Sequence, residues 1–296
     1  MRLWLCEPLL LLLLPIPVWS AQATIPNLRS PEQFVQMGAA MSQSAAQDLE
    51  AQLERNPEDL AARARLLGFY YYQWMKPGAA VAKASRRRHI LWLIEHHPES
   101  PLTGVTEAAI DQTGENMADP EGYTQARKLW LALMNGGSAS PPALGNLAKF
   151  FQIVDNDLAE KALLKALAMQ PASWEWQQRL GYLYSMGILG IATLGLNGQP
   201  TSIDPYAADG PFAAKSRKAL AESTSGAMLS TAASNLWRYG TILTPSAKHK
   251  LGYMDQAIQL MQRAKVVEPT NPNWTVVLTQ MESYRRQIES APVPGK

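Results

Sequence analysis

The feature that most constrains this chain is a triplet of residues that recurs at the spacing of an α-helix. Each triplet places a small residue, a large apolar residue and another apolar residue at positions i, i+4 and i+7. The copies are Ala126, Trp130 and Leu133; Ala159, Leu163 and Ala166; and Ala257, Met261 and Ala264. Pro171 and Pro269 follow the second and third copies, each after five residues. Such a repeat predicts stacked helix pairs that contact their neighbours, and not one continuous globular core.

Composition excludes some classes of partner. The chain has 296 residues, of which 47% are hydrophobic and 18% charged, which is typical of a folded protein. The formal net charge is +2, so no strong field favours nucleic acid or an anionic membrane surface. The basic run Arg86-Arg87-Arg88 is not accompanied by an aromatic RNA-binding motif. We therefore interpret this run as a solvated helix face.

The N-terminus is typical of a secretory signal. An apolar run extends over 9–14, after a single positive residue at Arg2, and Ala21-Gln22-Ala23 matches a cleavage site. We expect residues 1–23 to be removed and the protein to be exported to the periplasm or the extracellular space. The alternative is an uncleaved membrane anchor, although the run is shorter than the roughly 20 residues of a spanning helix. Cys6, the only cysteine, lies inside this segment, so the mature chain would have no disulfide, cysteine nucleophile or cysteine-ligated zinc.

Helix signals dominate the rest of the chain, and strand signals are nearly absent. Several predicted helices begin with a capping residue followed by proline, whose missing N–H has no effect in a first turn. These starts are Ser30-Pro31, Asn56-Pro57, Asp119-Pro120 and Asn271-Pro272. The sequence predicts an all-α protein with about a dozen helices joined by short loops.

One segment, 187–250, departs from the regular pattern. Gly187, Gly190, Gly195 and Gly198 interrupt a helix, and 199–210 has the character of a loop. Two helices are expected near 211–222 and 226–240. The segment is either an irregular helical insertion or a pair of divergent repeats, and the sequence favours neither. We divide the remainder into regular repeats over 24–186, a last repeat with a capping helix over 251–290, and a disordered tail over 291–296.

The repeat resembles a known family. Ala159, Leu163, Ala166 and Pro171, followed by Leu180, Gly181 and Tyr184, match the pattern of the tetratricopeptide repeat, whose period is about 34 residues. Ala126 and Ala159 are 33 residues apart, and the best match covers 122–185. Similar first-helix positions are Leu67, Gly68 and Tyr71, and Leu147, Ala148 and Phe151. The resemblance implies an α-solenoid of antiparallel helix pairs, a right-handed superhelix, with an irregular insertion.

The resemblance also implies a concave groove, lined by first helices, that binds an extended peptide or a partner helix. Carried onto this chain, the groove residues are Arg65, Phe69, Tyr72, Gln73, Lys149, Gln152, Glu175, Gln178 and Tyr182. This set lacks the cluster of lysines and arginines with which some members clamp a terminal carboxylate. We expect a non-catalytic protein-binding scaffold that needs no cofactor or metal, binds no nucleic acid, and meets a membrane only through an uncleaved signal sequence.

Two alternatives remain open. Exposed aromatic residues such as Tyr72 and Tyr182 are also suited to a helical module that binds glycans or the cell wall. A metal-dependent enzyme would use His89 and His96, which are seven residues apart and hence on one helix face. Their spacing does not match the H-E-x-x-H motif, and the simpler interpretation is a polar helix C-terminus. The chain contains neither a G-x-S-x-G motif nor a phosphate-binding loop.

Overall fold

The structure, a computed structural model, describes residues 30–73, 79–112, 118–194, 199–204, 208–244 and 246–290. The predicted signal peptide with Cys6, the predicted tail at 291–296, and Gly195 and Gly198 lie outside these residues. The described part of the chain forms twelve α-helices, two short 3-10 helices and one two-stranded hairpin, which confirms the predicted all-α class. No helix among the described residues is both long and apolar enough to cross a membrane.

The elements follow one another through short connections. The first four helices are α1 (Pro31–Ala39), α2 (Gln43–Arg55), α3 (Leu60–Tyr71) and α4 (Ala79–His96), followed by 3-10 helices at Pro101–Gly104 and Thr106–Ala108. Next come α5 (Pro120–Gly136), α6 (Pro141–Phe151), α7 (Asn156–Met169) and α8 (Trp174–Leu189). The hairpin strands are β1 (Ile191–Leu194) and β2 (Pro200–Ile203). The last four helices are α9 (Pro211–Glu222), α10 (Gly226–Ile242), α11 (Ala247–Val267) and α12 (Pro272–Ser290).

Most of the predicted capping residues begin helices as expected. Asp119 precedes Pro120, the first residue of α5, and its carboxylate accepts a hydrogen bond of 3.0 Å from the Gly122 amide. One predicted start is different: Pro57 lies before α3, and the cap is Asp59, which accepts from the Ala62 amide at 2.9 Å. An aspartate side chain can bind the free amides of a first turn, so it sets the start of this helix in place of Asn56.

The helices form two series, in which each member contacts the next along the chain. The first series consists of α1, α3, the 3-10 segment, α6, α8, α10 and α12. Within it, α1 packs on α3, the 3-10 helices join α3 to α6, and α8 packs on α10. Arg179 of α8 donates to the Gly145 carbonyl of α6 at 2.5 Å, and the rings of Trp237 in α10 and Tyr284 in α12 lie 6.3 Å apart.

The second series consists of α2, α4, α5, α7, α9 and α11. Here α4 packs on α5, and polar side chains join the other neighbours. The polar links are Arg88 to Glu50 at 2.7 Å, Lys165 to the Met134 carbonyl at 3.0 Å, Lys215 to Asp157 at 2.8 Å, and Arg263 to the Leu220 carbonyl at 2.7 Å. The two series meet where α3 packs on α4, α6 on α7, α8 on α9, and α10 on α11.

The recurring triplets form the buried stripes of the second series. They lie on α5, α7 and α11, and all of their residues are buried except Leu133, which is half-buried. Pro171 and Pro269 follow the ends of α7 and α11, as expected for a residue that cannot continue a helix. The alanines of the triplets leave room for the facing helix, and the large central residue fills the space between neighbours.

The segment 187–250 contains an element that the sequence did not predict. Helix α8 passes Gly187 and ends at Gly190, whose φ of +64° is the left-handed conformation that glycine favours. The following hairpin pairs Ile191 with Ile203, so that part of the predicted loop at 199–210 is strand β2. The strands have only four residues each, too few for a periodic signal. The two helices expected near 211–222 and 226–240 are present as α9 and α10.

The basic run on α4 is not a solvated face, contrary to our interpretation. Arg86 is 6% exposed and donates to the backbone carbonyls of Glu107, at 2.8 Å, and Ala109. Arg87 forms an ion pair of 2.6 Å with Asp119, the cap of α5, and Arg88 pairs with Glu50 of α2. Because α4 has neighbours on several sides, three consecutive arginines attach it to three different elements.

Candidate binding groove

The residues predicted on α3 divide into accessible and buried ones. Tyr72 is 37% exposed, and Arg65 and Gln73 are half-buried. Phe69 does not line an open surface: it is 2% exposed and packs in a small apolar cluster with Leu53 of α2. The position that the repeat pattern assigned to a groove is therefore covered in this chain by helix α2.

The residues predicted on α6 are accessible. Lys149 is exposed, and its ammonium group donates to the carbonyl of Gly104 in the 3-10 segment. Gln152, directly after the end of α6, is half-buried. Lys149 thus joins two members of the first series and keeps donors for a further acceptor, since an ammonium group carries three N–H bonds.

An arginine that sequence reasoning missed lies among the residues predicted on α8. Glu175 is exposed, whereas Gln178 and Tyr182 are half-buried. Arg179 lies between them in sequence, contacts Glu175 at 3.5 Å, and places its guanidinium 5.4 Å from the Trp176 ring. The signal that could have found it is Gly145 on α6, because the missing side chain there makes room for Arg179.

Lys149 of α6 and Arg179 of α8 are neighbours, since Arg179 donates to the Gly145 carbonyl of α6 and its charge acts on Lys149. Water reaches Lys149, yet burial lowers its pKa, and the charge of Arg179 lowers it further. Burial lowers the pKa of Arg179 as well, although 31% of its side chain is exposed. By contrast, Lys215 of the second series is 48% exposed. Hydrogen bonds to the carboxylates of Asp157 and Glu160 raise its pKa. Lys149 and Arg179 are therefore accessible to water and close enough for their charges to act on each other.

The surroundings of Lys149 and Arg179 combine several members of the first series. The charges of Glu107 in the 3-10 segment and Glu32 in α1 both act on the Lys149 ammonium. Burial, reinforced by Tyr239 of α10, raises the pKa of Tyr182 to about 12. We call the surface formed by Arg65, Tyr72, Lys149, Gln152, Gln178, Arg179 and Tyr182 the first-series face. Among these residues, the charge of Arg179 acts on Lys149. No hydrogen bond or ion pair between described residues links Arg65 or Tyr72 to α6 or α8.

The hairpin is attached to two helices of the first series, α8 and α10. The hydroxyl of Tyr239 in α10 donates to the side-chain carbonyl of Gln199, the residue before β2. Asn235 of α10 donates to the Ser185 hydroxyl of α8 at 3.1 Å. The hairpin therefore contributes polar groups beside Tyr182, which the repeat pattern gave no reason to expect.

The histidines of the alternative metal site have other roles. His89 is 2% exposed in the middle of α4, not at a helix C-terminus, with Nδ1 3.1 Å from Arg63 and Nε2 3.0 Å from Glu50. His96 is exposed and stacks on Trp92, with ring centroids 4.6 Å apart. Since both ring nitrogens of His89 are engaged, neither is free for a metal. Among the described residues, no group of three or more histidine, cysteine or acidic residues is placed to hold a metal ion.

Comparison with known proteins adds no assignment. No protein-family model, curated protein or solved structure matches this chain. The resemblance to the tetratricopeptide repeat therefore rests on the residues quoted above, and it stays a prediction. Functional inference has to proceed from the geometry of the first-series face.

Proposed function

We propose that this protein is an exported, non-catalytic scaffold that binds a peptide or partner protein along the first-series face of a tetratricopeptide-like solenoid. The observation that carries the proposal is the surface around Lys149 and Arg179, where charged groups of α1, the 3-10 segment, α6 and α8 act on one another. A continuous row of parallel elements with a concave surface is the geometry on which helical repeats hold an extended segment.

The contact pattern supports a solenoid. Helices contact neighbours that are near in sequence, and the same alternation of first-series and second-series elements runs from α1 to α12. Helices α9 and α10 continue this alternation, which favours divergent repeats over an insertion for most of 187–250. The exposed surface of α12 includes Thr279, Gln280 and Gln287, as expected of a terminal capping helix with a polar outer side. The handedness of the superhelix follows only from the family resemblance.

The chemistry of the face favours a peptide. Gln152 and Gln178 carry amides that both donate and accept, which matches the alternating N–H and carbonyl groups of an extended backbone. Tyr182 offers a rigid, partly apolar surface beside them, and such side chains are frequent energetic centres of interfaces. Positive and negative charges are mixed around Lys149, so we expect recognition of backbone and apolar groups more than of net charge.

Export remains part of the proposal, on the evidence of the sequence at 1–23. A chain without cysteine after Cys6 folds without disulfides in an oxidising compartment. The prediction is that the secreted protein begins at Thr24. N-terminal sequencing of the protein from a cell-envelope fraction tests it, and a mature chain that retains Leu9–Leu14 would favour the membrane anchor.

The binding proposal predicts that replacing Gln178 and Tyr182 together by alanine weakens the complex with a partner captured from envelope extract by at least about tenfold. The reason is the loss of one buried aromatic contact and one amide pair, together worth about 1.5 to 3 kcal/mol. The affinity is measured by titration calorimetry with the purified partner. The control is Val276→Ala on α12, which is 57% exposed and lies outside the face. Equal affinity of the double variant and the wild type would place the binding site elsewhere.

A further inference from the structure

A concave site lies away from the first-series face. It is a cleft of about 570 Å³ between α5 and the turn that joins α6 to α7. Its walls include Tyr123, Arg127, Lys128 and Leu131 of α5, and Val154 and Asp155 of the turn. The volume falls within the range of about 300 to 1,000 Å³ that is usual for ligand sites. Both bordering helices, α5 and α7, belong to the second series.

Two cations in this cleft have no partner in the described part of the chain. Arg127 and Lys128 are exposed and form no hydrogen bond or ion pair with the residues that the structure describes. Several other arginines of the second series, such as Arg87, Arg88 and Arg263, bind carboxylates or carbonyls. The guanidinium and ammonium groups of the cleft therefore remain available for an anion from outside.

Tyr123 provides a second, independent observation. It is 5% exposed, and its ring is held by stacking on Phe150 at a centroid distance of 5.0 Å. Its hydroxyl, the only polar group of the side chain, makes no hydrogen bond to any described residue. Burial raises the pKa of Tyr123, the charge of Arg127 lowers it, and the charges of Asp155 and Asp111 raise it further. Because Tyr123 lines the cleft and its hydroxyl is not cut off from solvent, this group can donate to a ligand that enters there.

The acidic residue of the cleft is already engaged. Asp155 caps α7, where its carboxylate accepts from the Leu158 amide at 3.1 Å, and the positive end of that helix offsets its charge. Val154 beside it is 51% exposed, and Leu131 is half-buried, so the cleft also offers an apolar surface to a ligand. The free groups of the site are thus donors and cations next to an aliphatic wall.

We propose that this cleft binds an acidic peptide segment of a partner protein, with a carboxylate between Arg127, Lys128 and the Tyr123 hydroxyl and an aliphatic side chain against Leu131 and Val154. A small free carboxylate is less suitable, because small ligands are normally enclosed over most of their surface and this cleft is open. The site is separate from the first-series face, and either can exist without the other.

The test measures the anisotropy of two fluorescein-labelled peptides with the complete protein, one of sequence Gly-Leu-Asp-Glu-Leu-Gly and one with asparagine and glutamine in place of the acidic residues. We expect the acidic peptide to bind at least about tenfold more tightly, since hydrogen bonds to charged groups exceed neutral ones. Arg127→Gln with Lys128→Gln should remove most of this difference. Tyr123→Phe, which keeps the stacked ring, should weaken binding about threefold to tenfold without changing the melting temperature.

The matched control is Lys265→Gln with Arg286→Gln, because these residues are exposed on α11 and α12 and the variant has the same net charge. It should bind the acidic peptide as the wild type does, and so should the Gln178 and Tyr182 double variant of the first-series face. Equal binding of both peptides, or equal losses in the cleft and control variants, would overturn the proposal. If free 4-methylpentanoate displaced the labelled peptide from the cleft as well as unlabelled peptide does, the assignment to a peptide segment would be overturned.

Discussion

We expect Gly181→Ala to lower the free energy of unfolding by about 3 kcal/mol or more, because the added Cβ has no space. A Cβ at this position would overlap the carbonyl oxygen of Met228, where α8 and α10 cross. The obstructing atom belongs to the backbone of a helix that is itself packed on α11, so no side-chain rotation relieves the overlap. Urea denaturation followed by circular dichroism measures the change.

The control for this prediction is Gly252→Ala in α11. A Cβ at Gly252 would meet no atom within 4 Å, and alanine is the better helix former, so this variant should be more stable by about 0.5 to 1 kcal/mol. The two substitutions add the same atom within helices and should have opposite effects. A Gly181→Ala protein as stable as the wild type would show that α8 and α10 do not approach as closely as described.

Gly181 also shows how much of the fold could be predicted from the sequence. Gly181 belongs to the pattern of small and apolar residues that identified the helices, and such patterns are local, so they are readable without a structure. Capping residues such as Asp119 and Asp155 are local as well. The hairpin after Gly190 escaped prediction because four-residue strands carry too little periodicity.

Long-range contacts account for what sequence reasoning missed in the candidate sites. The repeat pattern assigned Phe69 to a groove, but Phe69 packs in a buried cluster with Leu53 of α2. Arg179 became relevant only through Gly145 on a different helix, and the arginines of α4 only through three separate neighbours. A residue's spacing in one helix indicates which side it faces, whereas the identity of the element on that side depends on the packing of the whole chain.

The second large effect concerns Glu50, which joins α2 to α3 and α4. Its carboxylate accepts hydrogen bonds from the Tyr70 hydroxyl at 2.7 Å and from His89 Nε2 at 3.0 Å, and it pairs with Arg88 at 2.7 Å. Burial alone would raise the pKa of Glu50, but the hydrogen bonds from His89 and Tyr70 and the charge of Arg88 lower it from 4.5 to about 2. The folded state therefore favours the ionised form.

This arrangement makes stability depend on pH in a defined direction. A carboxyl whose pKa is lower in the folded state contributes fully above the unfolded value of 4.5, and the contribution is lost as the pH falls towards 2. Burial lowers the pKa of His89 below its ordinary value of 6.5, so the unfolded chain binds a proton there that the folded chain resists. Both groups therefore reduce stability on acidification, His89 first and Glu50 at lower pH.

We expect Glu50→Gln to lower the free energy of unfolding at neutral pH by about 2 to 3 kcal/mol, since the amide carries no charge and its NH2 group replaces Oε2, the oxygen that accepts from Arg88. The difference from the wild type should shrink at about pH 3, where the wild-type carboxyl loses its advantage. Urea titrations at the two pH values measure both effects.

Glu54→Gln provides the matched control, because Glu54 is exposed on the same helix. We expect a change of at most about 0.5 kcal/mol at either pH, as for most surface substitutions. A Glu50→Gln variant with the same deficit at both pH values would mean that the loss comes from packing and not from the charge. Equal stability of the two glutamine variants at neutral pH would mean that Glu50 does not hold α2 against α3 and α4, and the cover over Phe69 would then depend on the small apolar cluster alone.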